Sequence, residues 1–415
     1  MKVLISAGEV SGDIVGALLA RKLREVEPRA EIFGVGGARM AAAGVEIDAH
    51  TNHLGTVGVT EAVRAIPAFA RVLLAIRKRV RTAAPDVAIH IGNDVFNVLL
   101  ARWLRTRGVT TISYFPPQVW IWRAVAPLIA RSYDTILTSF PLEHEVYGRA
   151  GARTGTTVSF VGHYLCETLT PRTSEEMALS RQRLGLAGAS RVVGLLPGSR
   201  PHEVRRLMGI LLDAARELSQ SDSRLRFVVP VADSSYRAEI QDDPRRRDLG
   251  ERVIIVSDSH EAMRSADVVL LASGTASLEA ALLGVPMVVV YKVSAITAGV
   301  MRGVIRLGLI KSETVGLPNL ILGHEVVPEL RQSRATAAAV VREARALLDD
   351  ELKRHAMRAA LLEVAGKVSA GPTLERVVET VVALAAPRGS TDAASLNTAR
   401  AHRGARMPGI TEGRS

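Results

Sequence analysis

Short apolar runs alternate with longer helical stretches along most of this chain, and that alternation constrains the fold more than any other feature. Apolar runs without in-out alternation mark strands buried on both faces, which occur where helices cover both sides of a parallel sheet. A first series comprises Val3 to Ser6, Glu31 to Val35, Val87 to Ile91, Thr110 to Tyr114, Thr135 to Thr138 and Val158 to Val161. A second series follows the polar, charged stretch Pro171 to Gln182, with strands at Val192 to Leu196, Arg226 to Val231, Val253 to Val256, Val268 to Ala272 and Met287 to Tyr291. The pattern predicts two doubly wound α/β units facing a cleft. Residues 1–170 form the first unit, 171–190 a linker and 191–386 the second unit, whose last helices could return to pack on the first. Ligands of such folds sit in the crevice at the carboxyl ends of the strands. Residues 387–415 carry Gly, Ser, Thr, Asn and arginines without periodicity, and read as disordered.

Composition narrows the class. At 415 residues and 47% hydrophobic content the chain can bury two cores, and with aromatics at only 4% these are filled mainly by Ala, Val and Leu. The lone cysteine, Cys166, excludes an intramolecular disulfide and a cysteine zinc cluster, so a reducing cytosol is expected. Val3 to Ser6 is too short for a signal-peptide core, and no stretch approaches the roughly 20 apolar residues of a membrane span. The formal charge is +11 and the isoelectric point about 10.2, compatible with nucleic acid, anionic lipid or a phosphorylated substrate. Nucleic acid ranks lowest, because aromatics and basic residues do not interleave. From Ile66 to Arg81, apolar Ile66, Phe69, Leu73, Ile76 and Val80 recur at helical spacing, with Arg71, Arg77, Lys78, Arg79 and Arg81 on other faces. This is either a helix lying on a membrane or a surface helix docked on a sheet, and the same amphipathic moment serves both.

Both series contain strand-to-helix turns suited to anions. In "LASGTASLEAALLG", Ser273, Gly274 and Thr275 fall between a strand and a helix over Ala276 to Leu283. Unpaired N–H groups and the helix dipole attract phosphate there, and Glu279 lies about 6 Å further along the axis, within reach of sugar hydroxyls. In "LLPGSRPHEV", Gly198, Ser199 and Arg200 follow a strand, and Arg200 could clamp a phosphate in a fork. In "ISAGEVSGDIVG", the glycines lack the dinucleotide spacing, while Glu9 and Asp13 could hold a sugar or move a proton, Asp13 being equally suited to cap a helix.

Taken in order, "SAGEVSGD", "FGVGGARMAAAG", "YFPPQVWIWR", "FVGH", "LLPGSRPHEV", "ASGTASLEAALLGVPMVVVYKVS" and "LPNLILGHEVVPELRQ" resemble the lipid-A-disaccharide synthase family over roughly residues 1–386. The resemblance implies a B-type glycosyltransferase of two Rossmann-like domains, the second holding a UDP-sugar and the first an acylated glucosamine phosphate acceptor. It also implies transfer from UDP-diacylglucosamine to diacylglucosamine 1-phosphate with inversion, release of UDP on the inner face of the cytoplasmic membrane, no metal or other cofactor, and homodimerisation as a possibility. Ser273, Gly274 and Thr275 match the loop that meets the pyrophosphate, Glu279 the ribose-binding position, and Gly198, Ser199 and Arg200 the facing phosphate loop. Asn319, Glu325 and Gln332 match a further block near the donor.

One segment departs from that pattern. Where the family has an "IDAPDFN"-like sequence with an essential aspartate, this chain reads "IGNDVFN" from Ile91 to Asn97, with Gly92 and Val95 in place of the two aspartates and Asp94 in place of proline. An inverting transfer needs a base, which Asp94 or Glu9 could supply, with His90 or His163 as further possibilities. Val57 likewise replaces a family methionine. Two other readings remain at this point: a UDP-sugar transferase or epimerase acting on a different acceptor, and a non-catalytic nucleotide-sugar or lipid-binding protein.

Overall fold

The computed structural model describes residues 1–8, 10–50, 59–92, 95–119, 123–199, 201–231, 234–294, 299, 303 and 314–386. The first sheet contains β1 (Lys2–Ala7), β2 (Glu31–Gly36), β3 (Glu46–His50), β4 (Val87–Ile91), β5 (Thr110–Tyr114), β6 (Thr135–Thr138) and β7 (Thr157–Phe160), in the order β3-β2-β1-β4-β5-β6-β7. The second contains β8 (Val192–Leu196), β9 (Arg226–Pro230), β10 (Val253–Val256), β11 (Val268–Ala272), β12 (Met287–Tyr291) and β13 (Glu329–Arg331), in the order β10-β9-β8-β11-β12-β13. Every described strand pair is parallel, as the unbroken apolar runs require. Central β1, β4, β8 and β11 are almost wholly buried. The two strands absent from the sequence reading are β3 and β13. Both lie at sheet edges and carry charged residues rather than an apolar run.

The amphipathic stretch lies in the helix Val59–Thr82 and docks on the first sheet. Val72, Ile76 and Val80 are buried with Leu4, Phe33, Val35 and Ala88, with Leu73 packed alongside, and the Phe69 ring stacks on Phe96 at 6.1 Å. Arg79 lies over the Phe33 ring at 5.0 Å and pairs with Glu46 and with Asp48, whose carboxyl burial raises above its ordinary value. The apolar stripe therefore belongs to the core and is not available to insert into lipid. The side chain of Ile66 is outside the described residues.

The stretch 171–190 is folded as well as connecting. The helix Ser174–Arg183 starts in a capping box made by Thr173 and Glu176, and its Arg181 reaches Asp267 at 2.6 Å and the Ser265 carbonyl at 2.9 Å. The helix Thr373–Ala385 returns to the first unit, where Lys22 pairs with Glu375 at 3.3 Å and the Leu374 N–H donates to Glu167 at 2.8 Å. The tail 387–415, read as disordered from its composition, is outside the described residues. Among the described residues no helix is long and apolar enough to cross a membrane.

Candidate active site at two strand-order reversals

Strand order reverses between β1 and β4 in the first sheet and between β8 and β11 in the second. At such reversals neighbouring crossovers leave on opposite faces and open a crevice beyond the strand ends. The loops that follow these four strands are the segments containing Glu9, Asp94, Arg200 and Ser273 to Thr275.

On the second sheet, the helix Thr275–Leu282 begins without a side-chain cap and has no acidic residue in its first turn. Gly274 adopts φ 142°, which a side chain would strain, and nothing lies within 4 Å of the place a Cβ would occupy. Gly274 and Thr275 are exposed, so an anion can approach the helix N–H groups directly. Ser273 is tied down: its hydroxyl donates to the Val315 carbonyl at 2.6 Å and fixes the next loop over the site. Gly198, with φ 105°, and exposed Ser199 follow β8, while Arg200 is outside the described residues. Glu279 is partly buried, and its Oε1 lies 3.4 Å from His260 Nε2, a partner that motif reading missed.

The block from Leu317 to Gln332 is organised differently from the sequence expectation. Asn319 is buried and its amide is fully engaged: Oδ1 accepts from Val326 N and Val327 N at 2.7 and 3.0 Å, and Nδ2 donates to the Val327 carbonyl and to Glu329 at 2.9 and 2.8 Å. It shapes the loop and has no capacity left for a ligand. Glu329, not singled out before, completes this hub by accepting from Val315 N at 3.0 Å and Gly316 N at 2.9 Å. Glu325 is exposed. Gln332 follows β13 with φ 51°, a conformation uncommon outside glycine and enriched at functional sites.

On the first sheet, Asp13 is a cap and not a catalytic group. Its carboxylate is buried and accepts from Gly37 N at 2.6 Å and from Arg39 N and Met40 N at 3.1 Å, holding the start of the helix Ala38–Ala42. His90 and His163 are also withdrawn. His90 is fully buried edge-on to Tyr133, and burial brings its pKa down to about 4 against the opposing influence of Asn97. His163 is buried among Phe115, Phe140 and Tyr164, where burial brings it down to about 3. Neither can reach a substrate hydroxyl, so the histidine alternatives for the base fall away. Gly92 has φ 101°, so the position of the family's aspartate is one whose backbone suits glycine. Glu9, Asp94 and Val57 are outside the described residues.

The two units meet at Tyr164. Burial pushes its phenol up to about 12, with Glu279 of the second unit adding to the rise and Arg39 of the first opposing it. Phe115, at φ 55° directly after β5, packs on His163 and Tyr164 and is a second strained residue at a strand end. Phe140, Pro141 and Leu142 of the first unit line a small apolar pocket with Leu317, Leu320 and Ile321 of the second. Tyr164 and Phe140 lie outside the quoted motifs, and Phe115 and Leu317 lie inside them without having been singled out, because each acts through a contact between distant segments. Among the described residues no three His, Cys, Asp or Glu side chains are grouped to hold a metal ion.

A family model described as lipid-A-disaccharide synthetase matches residues 3–370. A lipid-A-disaccharide synthase of Geobacter sulfurreducens is 37% identical over 92% of this chain and 96% of its own length, and one of Pseudomonas aeruginosa is 39% identical over 84% and 90%. A UDP-GlcNAc 2-epimerase of Neisseria meningitidis, solved bound to UDP-GlcNAc, shares the fold with a TM-score of 0.62 at 13% identity, covering 92% of this chain and 100% of the other. From the paired strand-order reversals, the seven ordered motifs and these matches, the chain belongs to the lipid-A-disaccharide synthetase family and is a glycosyltransferase of that type.

Proposed function

We propose that the chain transfers a diacylglucosaminyl group from UDP-diacylglucosamine to diacylglucosamine 1-phosphate, inverting the anomeric centre and releasing UDP. The observation that carries this reading is the uncapped, acid-free start of the helix Thr275–Leu282, standing at the strand-order reversal of the second sheet. The acceptor hydroxyl oxygen bonds to the anomeric carbon as the bond from that carbon to the diphosphate breaks, and the bonding pair leaves with UDP. The helix N–H groups and Arg200 stabilise the departing charge, in a role that a preorganised cation or dipole fills well. Gly198 and Ser199 bound the same phosphate cradle, and Glu279 takes the ribose hydroxyls. The hydroxyl proton passes to Asp94, with Glu9 on the neighbouring loop orienting the acceptor. That neighbourhood is supported by the β1–β4 pairing, which ends at Ala7 and Ile91, and by the bond from Gly8 N to the Ile91 carbonyl at 3.2 Å.

Calorimetric titration with UDP tests the donor half. Glu279→Ala should weaken binding about tenfold while the fold stays intact, since it removes an acceptor of hydroxyl hydrogen bonds. Arg200→Ala should cost more affinity for UDP than for uridine. Unchanged affinity in both variants would remove UDP from this site.

The acceptor's acyl chains place the reaction beside a bilayer, and an anionic inner leaflet suits a chain of formal charge +11. The docking face is proposed on the helices Val95–Arg105 and Ala126–Ala130, where Val95, Leu99 and Leu128 stay exposed beside Arg102 and Arg131 while Val98, Ala101, Ala126 and Ile129 pack inward.

A further inference from the structure

We infer that His260 is a positioning residue for the nucleotide, gripping one oxygen of Glu279 so that the other faces the ribose; this rests on the donor site proposed above.

The placement of His260 is secured from both ends of its short helix, Ser259–Ser265. Asp258 accepts from His260 N at 2.8 Å and Glu261 N at 3.1 Å, fixing the start. Arg172, itself buried, donates to the Met263 and Arg264 carbonyls at 3.2 and 2.6 Å, fixing the end. That helix follows β10, so it starts at the same carboxyl edge of the second sheet from which the helix bearing Glu279 departs. His260 Nε2 comes within 3.4 Å of Glu279 Oε1, and both side chains are partly withdrawn from water, at 32% and 19% exposure. A carboxylate that contacts an anchored ring through one oxygen is held in one rotamer. Its second oxygen is then preorganised to accept from a diol, and binding loses less side-chain entropy.

The contact also makes the grip depend on pH. The imidazole pKa is raised above its ordinary 6.5, chiefly by the close approach of the Glu279 carboxylate and against burial, with Asp258 adding to the rise and Arg264 opposing it. Tyr164 faces Glu279 from the first unit, with Arg39 beyond it, and its phenol stays protonated throughout the neutral range. His260 is charged below 6.5 and loses its charge as pH rises through its raised value, so the grip is firm at pH 6 and slackens as pH passes that value.

Titration of the full chain with UDP from pH 6 to pH 8.5 tests this, comparing wild type, His260→Gln, Glu279→Gln and the double variant. UDP's own phosphate titration is common to all four proteins, so differences between them isolate the histidine. His260→Gln should weaken UDP about fivefold at pH 6, the order expected on losing a partly buried charge contact, and this gap should narrow as pH rises toward 8.5. The double variant should be no weaker than Glu279→Gln alone, because His260 acts only through that carboxylate. A His260→Gln profile parallel to wild type, or a double variant weaker than Glu279→Gln, would overturn the inference while leaving the donor site standing. A wild type that binds no UDP at any pH would overturn the donor-site reading and this one with it.

Discussion

Asp94→Asn should lower turnover at least a hundredfold while UDP binding persists. A positioned base contributes about 10²- to 10⁴-fold to such a transfer, and asparagine keeps the shape while removing the basicity. This chain carries Gly92 where the family resemblance expects the essential aspartate. The φ of 101° at Gly92 suits glycine, so the carboxylate function must come from elsewhere. Burial removes His90 and His163 from contention, and Asp13 is engaged with three backbone N–H groups. Of the carboxylates singled out in the sequence, Asp94 and Glu9 remain on the loops beyond β4 and β1. Steady-state assays of Asp94→Asn and Glu9→Gln with the same donor and acceptor decide between them. Full kcat in Asp94→Asn together with a hundredfold loss in Glu9→Gln would reassign the base to Glu9.

Ile76→Ala should cost about 2–5 kcal/mol of stability, a large share of what holds a domain of this kind together. Ile76 is fully buried between the helix Val59–Thr82 and the sheet, where truncation leaves a cavity among Leu4, Phe33 and Ala88. Leu99→Ser on the exposed face should leave the denaturation midpoint within a small margin of wild type, because that side chain is 54% exposed. Cosedimentation with anionic vesicles separates the two surfaces further. Wild type should be retained at low salt and partly released as salt screens its arginines, and Leu99→Ser with Leu128→Ser should bind less. A stable Ile76→Ala that fails to bind vesicles would return the membrane contact to the helix Val59–Thr82.

The strands were legible because burial on both faces leaves an unbroken apolar signature, and β4, β5, β6, β8, β10, β11 and β12 fall where that signature places them. The edge strands β3 and β13 were not, since an edge needs polar residues to remain soluble. The helix over Ile66 to Arg81 was legible as amphipathic but not as core or membrane, because hydrophobic periodicity specifies a buried face without naming what buries it. In the site, Gly198, Gly274 and Glu279 could be read from strand-to-helix turns, which are local. His260, Tyr164 and Glu329 could not. His260 and Tyr164 matter through a partner on another element, Glu329 through the backbone of the preceding loop, and Asn319 shows the converse, a singled-out residue whose polar atoms are all engaged by its own loop.

The most direct measurement incubates the wild-type chain with UDP-diacylglucosamine and radiolabelled acylated or non-acylated glucosamine phosphates, following both UDP release and the labelled product. A tetraacylated disaccharide phosphate formed in step with UDP, and only from the acylated acceptor, is the predicted result. UDP bound without release, or release that yields an epimerised sugar or a product on a different acceptor, would contradict it.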